Sequence, residues 1–574
     1  MTRSVAAAAA ASRLRIAVVQ TVRSRSLTET RDRMLAAMEE AAGRGARVVV
    51  FSEGALGGAD TPAALDTAMD AIRSAAQERK LYVIIGVSGH NARAQRWVNW
   101  LRPQHWINWM RTQHRVNWMV VVGPDGRDVF RYDKLYDQHD APMPGVFLID
   151  GVPCSAIICS DRWLRGIEEI PIQQGAQISF ELSNNFPTEW VPAFQWYWYV
   201  PRALRNNVWV IFANRAGRRQ GHCNEPLTGH GHSAVVAPDG AVVAHAAEEE
   251  GMILADLEIA QATRAGAIAR AAHPALKTFW SAGDLLQRGG HVEAPRLNPL
   301  RSPKVNVTLA AAPVSGNPAA VKSAIQAARL KGADLVAFPA GAVDETEIDS
   351  IRAAARDGQI TVLIGAAHRD ASGIFNSAFV IGPDGSVLTR YDQLSAEPPF
   401  LAGPAPAKMW FSVKGIPAIV VLERDALWTE LAELAAIAGA RIVVHLDRAA
   451  DSSFQARQTR LQVWSNLASF LTLTVTAGDG DASLWDDLRG MEKISAEAKR
   501  RPRPDTGAVA VYSPWSAKLI ARASSPMDLL VATRRIPTAT NPHYPLQTTR
   551  YNPQMDAWYR LGAALVRSGF PKTP

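Results

Sequence analysis

The sequence of 574 residues has little cysteine and no long hydrophobic run. Its three cysteines, Cys154, Cys159 and Cys223, cannot build a disulfide framework. No apolar run reaches the roughly 18 residues of a membrane helix. The opening MTRSVAAAAAASRLR has an alanine run in place of a leucine-rich signal core. These absences exclude a disulfide-built protein and a membrane-spanning one, and they predict a cytoplasmic chain without a membrane partner.

Charge of one sign is not in large excess, and lysine is scarce. The chain has 62 basic and 54 acidic residues, a net charge of +8, and no long basic block of the kind that binds nucleic acid. We therefore expect no nucleic-acid partner. There are 12 lysines against 50 arginines, and only Lys80 and Lys134 precede Lys277. Since a compact ammonium can enter a small site as a point charge, a retained lysine suggests a specific role.

Two long stretches of the sequence match each other in order. The first contains GARVVVFSEGALGG (45–58), NWMVVVGPDGRDVFRYDKL (117–135) and GVPCSAIICSDRW (151–163). The second contains GADLVAFPAGAVDE (332–345), NSAFVIGPDGSVLTRYDQL (376–394) and GIPAIVVLERDAL (415–427). The chain is thus predicted to hold two copies of one domain. We place them at 13–280 and 304–536, with a Gly/Pro-rich linker (281–303) and a C-terminal arm (537–574) lying on another surface.

Each copy shows the pattern of a layered α/β fold. Short β-branched runs such as Val48–Phe51 alternate with Ala-rich segments of helical spacing, such as Thr28–Ala42 and Pro62–Arg79. Pro-Asp-Gly stands between two apolar strands in VVVGPDGRDVF and in AVVAPDGAVVA. These turns predict hairpins, so the sheets are expected to be mixed rather than purely parallel.

Three polar residues at the ends of predicted strands form a candidate site. Cys159 ends an apolar strand and precedes SDRWLRGIEEI, whose first residues are of helix-capping type. The start of a helix favours a thiolate and can hold an oxyanion, although a lone cysteine is more often a buried structural residue. Glu53 follows one strand and Lys134 follows another. If the three converge, they supply the nucleophile, proton acceptor and cation of a hydrolase; otherwise the two charges face solvent.

These segments resemble the carbon–nitrogen hydrolase family, also called the nitrilase superfamily, which uses a Glu–Lys–Cys triad. Further matching segments are RIAVVQT, PRALRNNVWVIFANRAG and GHSAVVAPDG. The resemblance covers nearly the whole chain and implies two αββα sandwiches in tandem that pair as an intrachain pseudo-dimer. It also implies that Glu53 is the general base, that Lys134 stabilises the intermediate and that Cys159 is the nucleophile. The expected reaction is cofactor-free hydrolysis of a small amide or nitrile.

The second copy lacks all three residue types. By alignment, Glu53 pairs with Ala340, Lys134 with Gln393, and Cys159 with Glu423. A carboxylate cannot replace a thiol nucleophile in ordinary amide hydrolysis, so we expect one working site and a degenerate second domain that serves as a built-in partner. Whether such pseudo-dimeric chains assemble further into homo-oligomers is left open.

Departures from the family pattern bear on the substrate. Many members carry a further glutamate in the loop after the lysine, but LYDQHDAPMPG offers only Asp137, His139 and Asp140. After the nucleophile, the chain reads Cys-Ser-Asp-Arg-Trp, whereas true nitrilases typically read Cys-Trp-Glu. Amidase-type members more often carry an aspartate at this place, which favours an amide over a nitrile.

Two aromatic clusters and the start of the helix supply candidates for substrate contact. In the insertion 97–118, Asn99, Asn108 and Asn117 are each followed by tryptophan, which fits a surface hairpin, an oligomer contact or a lid. The second cluster follows the nucleophile, where the family shapes its pocket. The predicted substrate-binding residues, some of which could instead be core, are Ser160, through its backbone N–H, Asn184, Phe186, Trp190 and Trp196.

Two other functional classes compete with the thiol hydrolase. His222, Cys223, His230 and His232 could ligate zinc in a metallohydrolase, although their spacing matches no common zinc site. A non-catalytic scaffold is the second alternative, for which the degenerate copy is a precedent. The sequence therefore predicts an amidase that needs no metal.

Overall fold

The computed structural model describes the chain in segments. They are residues 12–22, 24, 26–57, 61–90, 115–136, 142–184, 199–216, 230–293, 295–396, 398–448, 470–476, 509–512, 519–523, 529–536 and 553–568. The described residues up to 268 form one compact unit, and those from 269 onward form a second. No helix within these segments is long and apolar enough to cross a membrane.

The first unit is built from two sheets with helices beside them. Its strands are β1 (Arg13–Gln20), β2 (Val48–Phe51), β3 (Leu56–Gly57), β4 (Tyr82–His90), β5 (Arg115–Val122), β6 (Asp128–Asp133), β7 (Phe147–Ile149), β8 (Val152–Ile158), β9 (Ile178–Leu182), β10 (Trp209–Ala213), β11 (Ala234–Val236), β12 (Val242–His245) and β13 (Gly251–Glu258). Its helices are α1 (Leu27–Gly43), α2 (Pro62–Arg79), α3 (Arg165–Gln173) and α4 (Val200–Asn206). Helix α5 (Ala265–Ala272) spans the boundary between the units.

The two sheets of the first unit are mixed, as the hairpin turns predict. One has the order β13-β1-β2-β4-β5-β6, with β3 beside β4, and the other has the order β12-β11-β10-β9-β8-β7. They face each other where β1 contacts β10, while α3 contacts β8 and β9. Helices α1 and α2 cover the first sheet, where Met38 and Ile72 pack with Phe51 and Ile85 because each helix turns its apolar stripe inward. The layers form an αββα sandwich.

The second unit repeats this plan. Its strands are β14 (Asn306–Ala311), β15 (Leu335–Ala337), β16 (Thr361–Asp370), β17 (Gly373–Ile381), β18 (Val387–Asp392), β19 (Trp410–Val413), β20 (Ile416–Leu422), β21 (Ile442–Asp447), β22 (Leu471–Thr476), β23 (Val509–Tyr512), β24 (Leu519–Ala523) and β25 (Leu530–Arg535). Its helices are α6 (Pro274–Gln287), α7 (Pro318–Leu330), α8 (Ile348–Gly358), α9 (Thr429–Ala438) and α10 (Pro553–Arg567). The sheet orders are β18-β17-β16-β15-β14-β25 and β19-β20-β21-β22-β23-β24.

Two segments differ from their sequence interpretation. Helix α6 continues to Gln287, so the first residues of the predicted linker 281–303 are helical. The described part of the predicted arm 537–574 is mainly helix α10, which packs into its own unit. The indole of Trp558 stacks on Phe279 with ring centres 4.5 Å apart, and its Nε1 donates to the Phe279 carbonyl at 2.6 Å. The sequence interpretation missed the apolar stripe of α10 because the segment begins with Pro/Tyr-rich residues, which predict an irregular arm.

Candidate active site

Glu53 and Lys134 meet in the interior of the first unit. Glu53 lies in the turn after β2, and Lys134 directly follows β6. Their side chains are only 8% and 7% exposed, and Lys134 Nζ donates to Glu53 Oε1 at 2.7 Å. Because little water screens charges at this depth, the attraction is stronger than that of a surface pair. The structure thus brings together the carboxylate and the cation of the predicted triad.

Asn117 also reaches the carboxylate of Glu53. It lies in β5, and its Nδ2 donates to Glu53 Oε1 at 3.1 Å. Its backbone oxygen accepts from the backbone N–H of Lys134 at 2.9 Å. The sequence interpretation places Asn117 only in the tryptophan-rich repeat and misses this contact. The available signal was Asn376, which stands at the same place in the second copy.

The backbone of Glu53 is held from two sides. At Gly86 in β4, a Cβ would lie 2.6 Å from the Cα of Glu53, so only glycine lets the strand pass this close. Arg215 Nη2 donates at 2.8 Å to the backbone oxygens of both Glu53 and Gly54. These contacts fix the turn and therefore the direction of the carboxylate.

Cys159 lies at the junction that follows β8. It opens a 3₁₀ turn, Cys159–Trp163, and has a left-handed φ of 47°. This conformation costs a non-glycine residue about 1–2 kcal/mol. The expectation that Ser160 and Asp161 cap an α-helix is wrong, because α3 begins only at Arg165 and has no side-chain cap. Cys159 is partly exposed, whereas Cys154 is buried.

Asp161 does not cap a helix. It ties the Cys159 turn to the segment that carries Lys134. Its carboxylate accepts from the hydroxyl of Tyr132, and from the backbone N–H of Tyr136 at 2.8 Å. These two tyrosines stand two residues before and two residues after the lysine. Burial raises the pKa of Asp161 well above its usual range. The tie brings the turn that bears the thiol to the end of β6.

The remaining predicted site residues fall into two groups. Ser160 Oγ lies 3.9 Å from Cys159 Sγ. Asn184 follows β9, and its buried Oδ1 accepts no hydrogen bond from any residue that the structure describes. Phe186, Trp190 and Trp196 lie outside the described residues. So do the loop with Asp137, His139 and Asp140 and all of the tryptophan insertion before residue 115.

The second unit has the same backbone junction with other side chains. Glu423 follows β20 with a φ of 41° and opens a 3₁₀ turn. Asn376 Nδ2 donates both to Gln393 Oε1 at 2.8 Å and to Glu423 Oε1 at 3.0 Å. Arg448 Nε lies 3.4 Å from Glu423 Oε1. Ala340 replaces the carboxylate that follows β2 in the first unit. One amide group thus joins the positions that match the lysine and the nucleophile.

Three buried histidines lie in the second sheet of the first unit and the loop before β11. His232 Nδ1 is 2.9 Å from His245 Nε2, and their rings stack 5.0 Å apart. Burial lowers the pKa of His230 to about 3, of His232 to about 2 and of His245 to about 4. Within the described segments, no group of three His, Cys, Asp or Glu side chains is arranged to hold a metal. His222 and Cys223 of the zinc hypothesis lie outside those segments.

Solved structures similar to this one include a double mutant of the amidase from Nesterenkonia sp. AN1 in complex with acrylamide. That similarity has 20% identity, covers 43% of this chain and 91% of the amidase, and has a TM-score of 0.34. The C. elegans NitFhit protein is similar at 19% identity, over 44% of this chain and 62% of that one, with a TM-score of 0.36. No curated protein matches the chain significantly.

A family model gives the decisive comparison. The model described as carbon-nitrogen hydrolase matches residues 15–267 and 307–443, which together exceed half of the chain. The two matched regions correspond to the two copies read from the sequence, and both units have the mixed sheets of that fold. The chain therefore belongs to the carbon–nitrogen hydrolase family, as a tandem member with two such domains.

Proposed function

We propose that the first copy hydrolyses a linear amide through a thioester on Cys159. Glu53 is the general base, and Lys134 stabilises the oxyanion together with the backbone N–H of Ser160. The observation that carries the proposal is the buried Lys134–Glu53 ion pair, which lies at the strand end that Asp161 ties to the thiol-bearing turn. A buried ion pair is not by itself a source of stability, so its presence at this junction favours a chemical role.

The second unit supports the convergence of the three groups. There, Asn376 contacts the side chains of both Gln393 and Glu423. By the shared order of strands, these two positions match Lys134 and Cys159. Side chains at the two positions are therefore within reach of one amide in this fold.

The proposed reaction consumes one water and releases one ammonia or amine. Glu53 takes the proton of the Cys159 thiol, and the sulfur attacks the amide carbonyl. The oxyanion collapses, the C–N bond breaks, and the proton on Glu53 passes to the leaving nitrogen. A water then loses its proton to Glu53 and attacks the thioester, so the C–S bond breaks. The carboxylic acid departs, and the proton returns to the sulfur.

An amide is favoured over a nitrile by one buried acceptor atom as well as by the motif around Cys159. The buried Oδ1 of Asn184 suits an acceptor for an amide N–H, which a nitrile lacks. We also propose that Phe186, Trp190 and Trp196 shape the acyl pocket. No step of this mechanism uses a metal or an organic cofactor.

Ammonia release from a panel of aliphatic and aromatic amides, carbamoyl compounds and nitriles tests the proposal. The panel compares wild type, Cys159→Ala and a chelator-treated sample, with Glu423→Ala as the matched control in the second copy. We expect wild type to release ammonia from an amide. This release should be lost in Cys159→Ala and retained in the chelator-treated sample and in Glu423→Ala. Release from nitriles alone would make the chain a nitrilase.

Two further outcomes would overturn the thiol mechanism. Release that survives Cys159→Ala but is lost with chelator would favour a zinc hydrolase that uses His222, His230 and His232. No release from any compound, together with an unreactive Cys159, would favour a non-catalytic scaffold. The intrachain pseudo-dimer, further homo-oligomers and a cytoplasmic location stay predictions.

A further inference from the structure

The carbonyl of the nucleophile residue is held by a buried arginine. Arg162 Nε donates to the backbone oxygen of Cys159 at 2.9 Å. Its Nη2 donates to Ser183 Oγ at 2.9 Å and pairs with the carboxylate of Glu181. The side chains of Arg162 and Glu181 are 5% and 0% exposed. The guanidinium thus holds the Cys159 carbonyl through its Nε. Its Nη2 is held by Glu181 in β9 and by Ser183 directly after that strand.

Holding this carbonyl also sets the direction of the next N–H. In a trans peptide, the C=O and the following N–H point in opposite directions. A fixed Cys159 oxygen therefore fixes the N–H of Ser160 on the other side of the same peptide plane. The left-handed φ of Cys159 is a strained conformation, which persists only where neighbouring groups hold it.

The second copy holds the matching carbonyl with a different side chain. Nε2 of His445 lies 3.1 Å from the backbone oxygen of Glu423. His445 pairs in register with the residue two positions before Glu423, as Glu181 pairs with the residue two positions before the nucleophile. His445 thus stands in the place of Glu181, and Ala426 stands in the place of Arg162. Two unrelated side chains, an arginine and a histidine, thus bond to the same carbonyl, which indicates that this peptide must be held in place.

We propose that Arg162, anchored by Glu181, is a positioning residue that aims the Ser160 N–H at the oxyanion of the acylation step. This inference rests on the proposed function, because it assigns a role to a backbone donor of that mechanism. In this role Arg162 acts through the Cys159 peptide rather than on the substrate. A fixed donor stabilises charge that develops on the carbonyl oxygen without reorganising during the reaction.

The test compares two reactions of Cys159 that differ in one respect. Acylation by p-nitrophenyl acetate passes through an oxyanion, whereas alkylation by iodoacetamide is a displacement at a methylene carbon and forms none. Both are followed against Cys159→Ala as the background. In R162A we expect acylation to slow by about 10²–10³-fold, the usual effect of losing one oxyanion donor. Alkylation should stay within about threefold of wild type, because it forms no oxyanion for the Ser160 N–H to stabilise.

The second copy suggests a variant that should rescue R162A. The double variant R162A/E181H introduces the Ala426–His445 pair of the second copy, and we expect it to recover at least about tenfold in acylation over R162A. If R162A does not fold, R162K replaces it, because its ammonium still faces Glu181 but cannot also bond the carbonyl in the planar fork of arginine. His445→Ala, in the second copy, should leave both reactions unchanged.

Three results would overturn the proposal. They are unchanged acylation in R162A and R162K, equal slowing of acylation and alkylation, and a folded double variant without recovery. None of them depends on the amide substrate, since both probes report on the sulfur alone. Failure of the proposed function would instead appear as wild-type amide hydrolysis that survives Cys159→Ala, or as an absence of amide hydrolysis while both probes still react.

Discussion

The residue after β8 in the first copy and the residue after β20 in the second adopt the same left-handed conformation, with φ values of 47° and 41°. The first is Cys159 and the second is Glu423. Each opens a 3₁₀ turn, and each has its carbonyl held from within its own unit. The same backbone junction is therefore present with and without a cysteine. Its strain is kept where no thiol is present, so the junction belongs to the fold of both copies.

The tie beneath the junction is retained in the same way. In the second copy, Asp425 accepts from Tyr391 Oη at 2.5 Å and from the backbone N–H of Ser395 at 2.7 Å. Asp161 makes the matching contacts in the first copy. The copies differ at the residue that opens the turn. In the second copy this residue is Glu423, and Arg448 lies against it.

Replacing Lys134 by the residue of the second copy should have the largest effect on this comparison. Lys134→Gln removes the cation beside Glu53 and keeps a similar length, so we expect kcat for amide hydrolysis to fall by about 10²–10³-fold. Steady-state ammonia release measures it. Gln393→Lys is the matched control and should leave the rate unchanged. Wild-type turnover in Lys134→Gln would remove the lysine from the mechanism.

The aspartate tie should stabilise both copies equally but serve catalysis in only one. Asp161→Ala and Asp425→Ala each leave a buried tyrosine hydroxyl and neighbouring backbone N–H groups without their acceptor, at a cost of about 1–3 kcal/mol per group. Urea unfolding measures the loss of stability. Under folding conditions, only Asp161→Ala should slow hydrolysis, since it frees the Cys159 turn from the end of β6.

Milder variants keep that experiment interpretable if the alanine variants do not fold. Tyr132→Phe and Tyr391→Phe remove one hydrogen bond from each tie, worth about 1 kcal/mol. Equal slowing of hydrolysis by the two members of either pair would show that the tie acts through overall stability rather than through the junction.

The sequence predicted where the candidate site residues lie, because the motifs occur twice in one order. Glu53, Lys134 and Cys159 follow strands in the structure as predicted, while their roles in a triad stay predictions. The roles of Asn117 and Asp161 could not be predicted, since their partners lie on strands far away in sequence. The capping expectation failed for a related reason. Asp161 accepts a hydrogen bond from Tyr132 instead of capping a helix, and helix α3 begins later, at Arg165.

The fold was predictable where the periodicity was strong. Helix α2 and strand β2 have the predicted bounds, and the Pro-Asp-Gly hairpins are confirmed by β5–β6 and β11–β12. Composition misled at the linker, where Gly and Pro residues after Gln287 concealed the end of α6. The C-terminal helix was missed because its partner Phe279 lies in a distant segment.

The histidine cluster should make the stability of the first copy depend on pH. Register places Arg522 at the position that matches His245. In the folded chain the pKa values of His232 and His245 are lowered to about 2 and about 4, whereas an unfolded histidine has its ordinary value of 6.5. Below that value the unfolded state binds more protons, so stability should fall as the pH drops from 6.5 towards 4.

Each neutral buried histidine contributes at most about 1.4 kcal/mol per pH unit in that window. Urea unfolding between pH 7 and 5 measures the slope. His245→Gln removes one titrating ring while it can still bond to His232, so its slope should be smaller than that of wild type by about one histidine. An unchanged slope would show that the cluster takes up protons in the folded state.

The smallest expected effect concerns Asn117, a polar residue that the two copies share. In the first copy, its amide donates to the Glu53 carboxylate, whereas the amide of Asn376 bonds Gln393 and Glu423 in the second. A hydrogen bond to a charged group is worth about 1.5 kcal/mol or more, so Asn117→Ala should lower kcat/KM by about tenfold. Asn376→Ala should not change kcat/KM, because no reacting group depends on it. If both variants slow hydrolysis alike, the shared asparagine supports the fold in each copy, and its contact with Glu53 has no part in orienting the base.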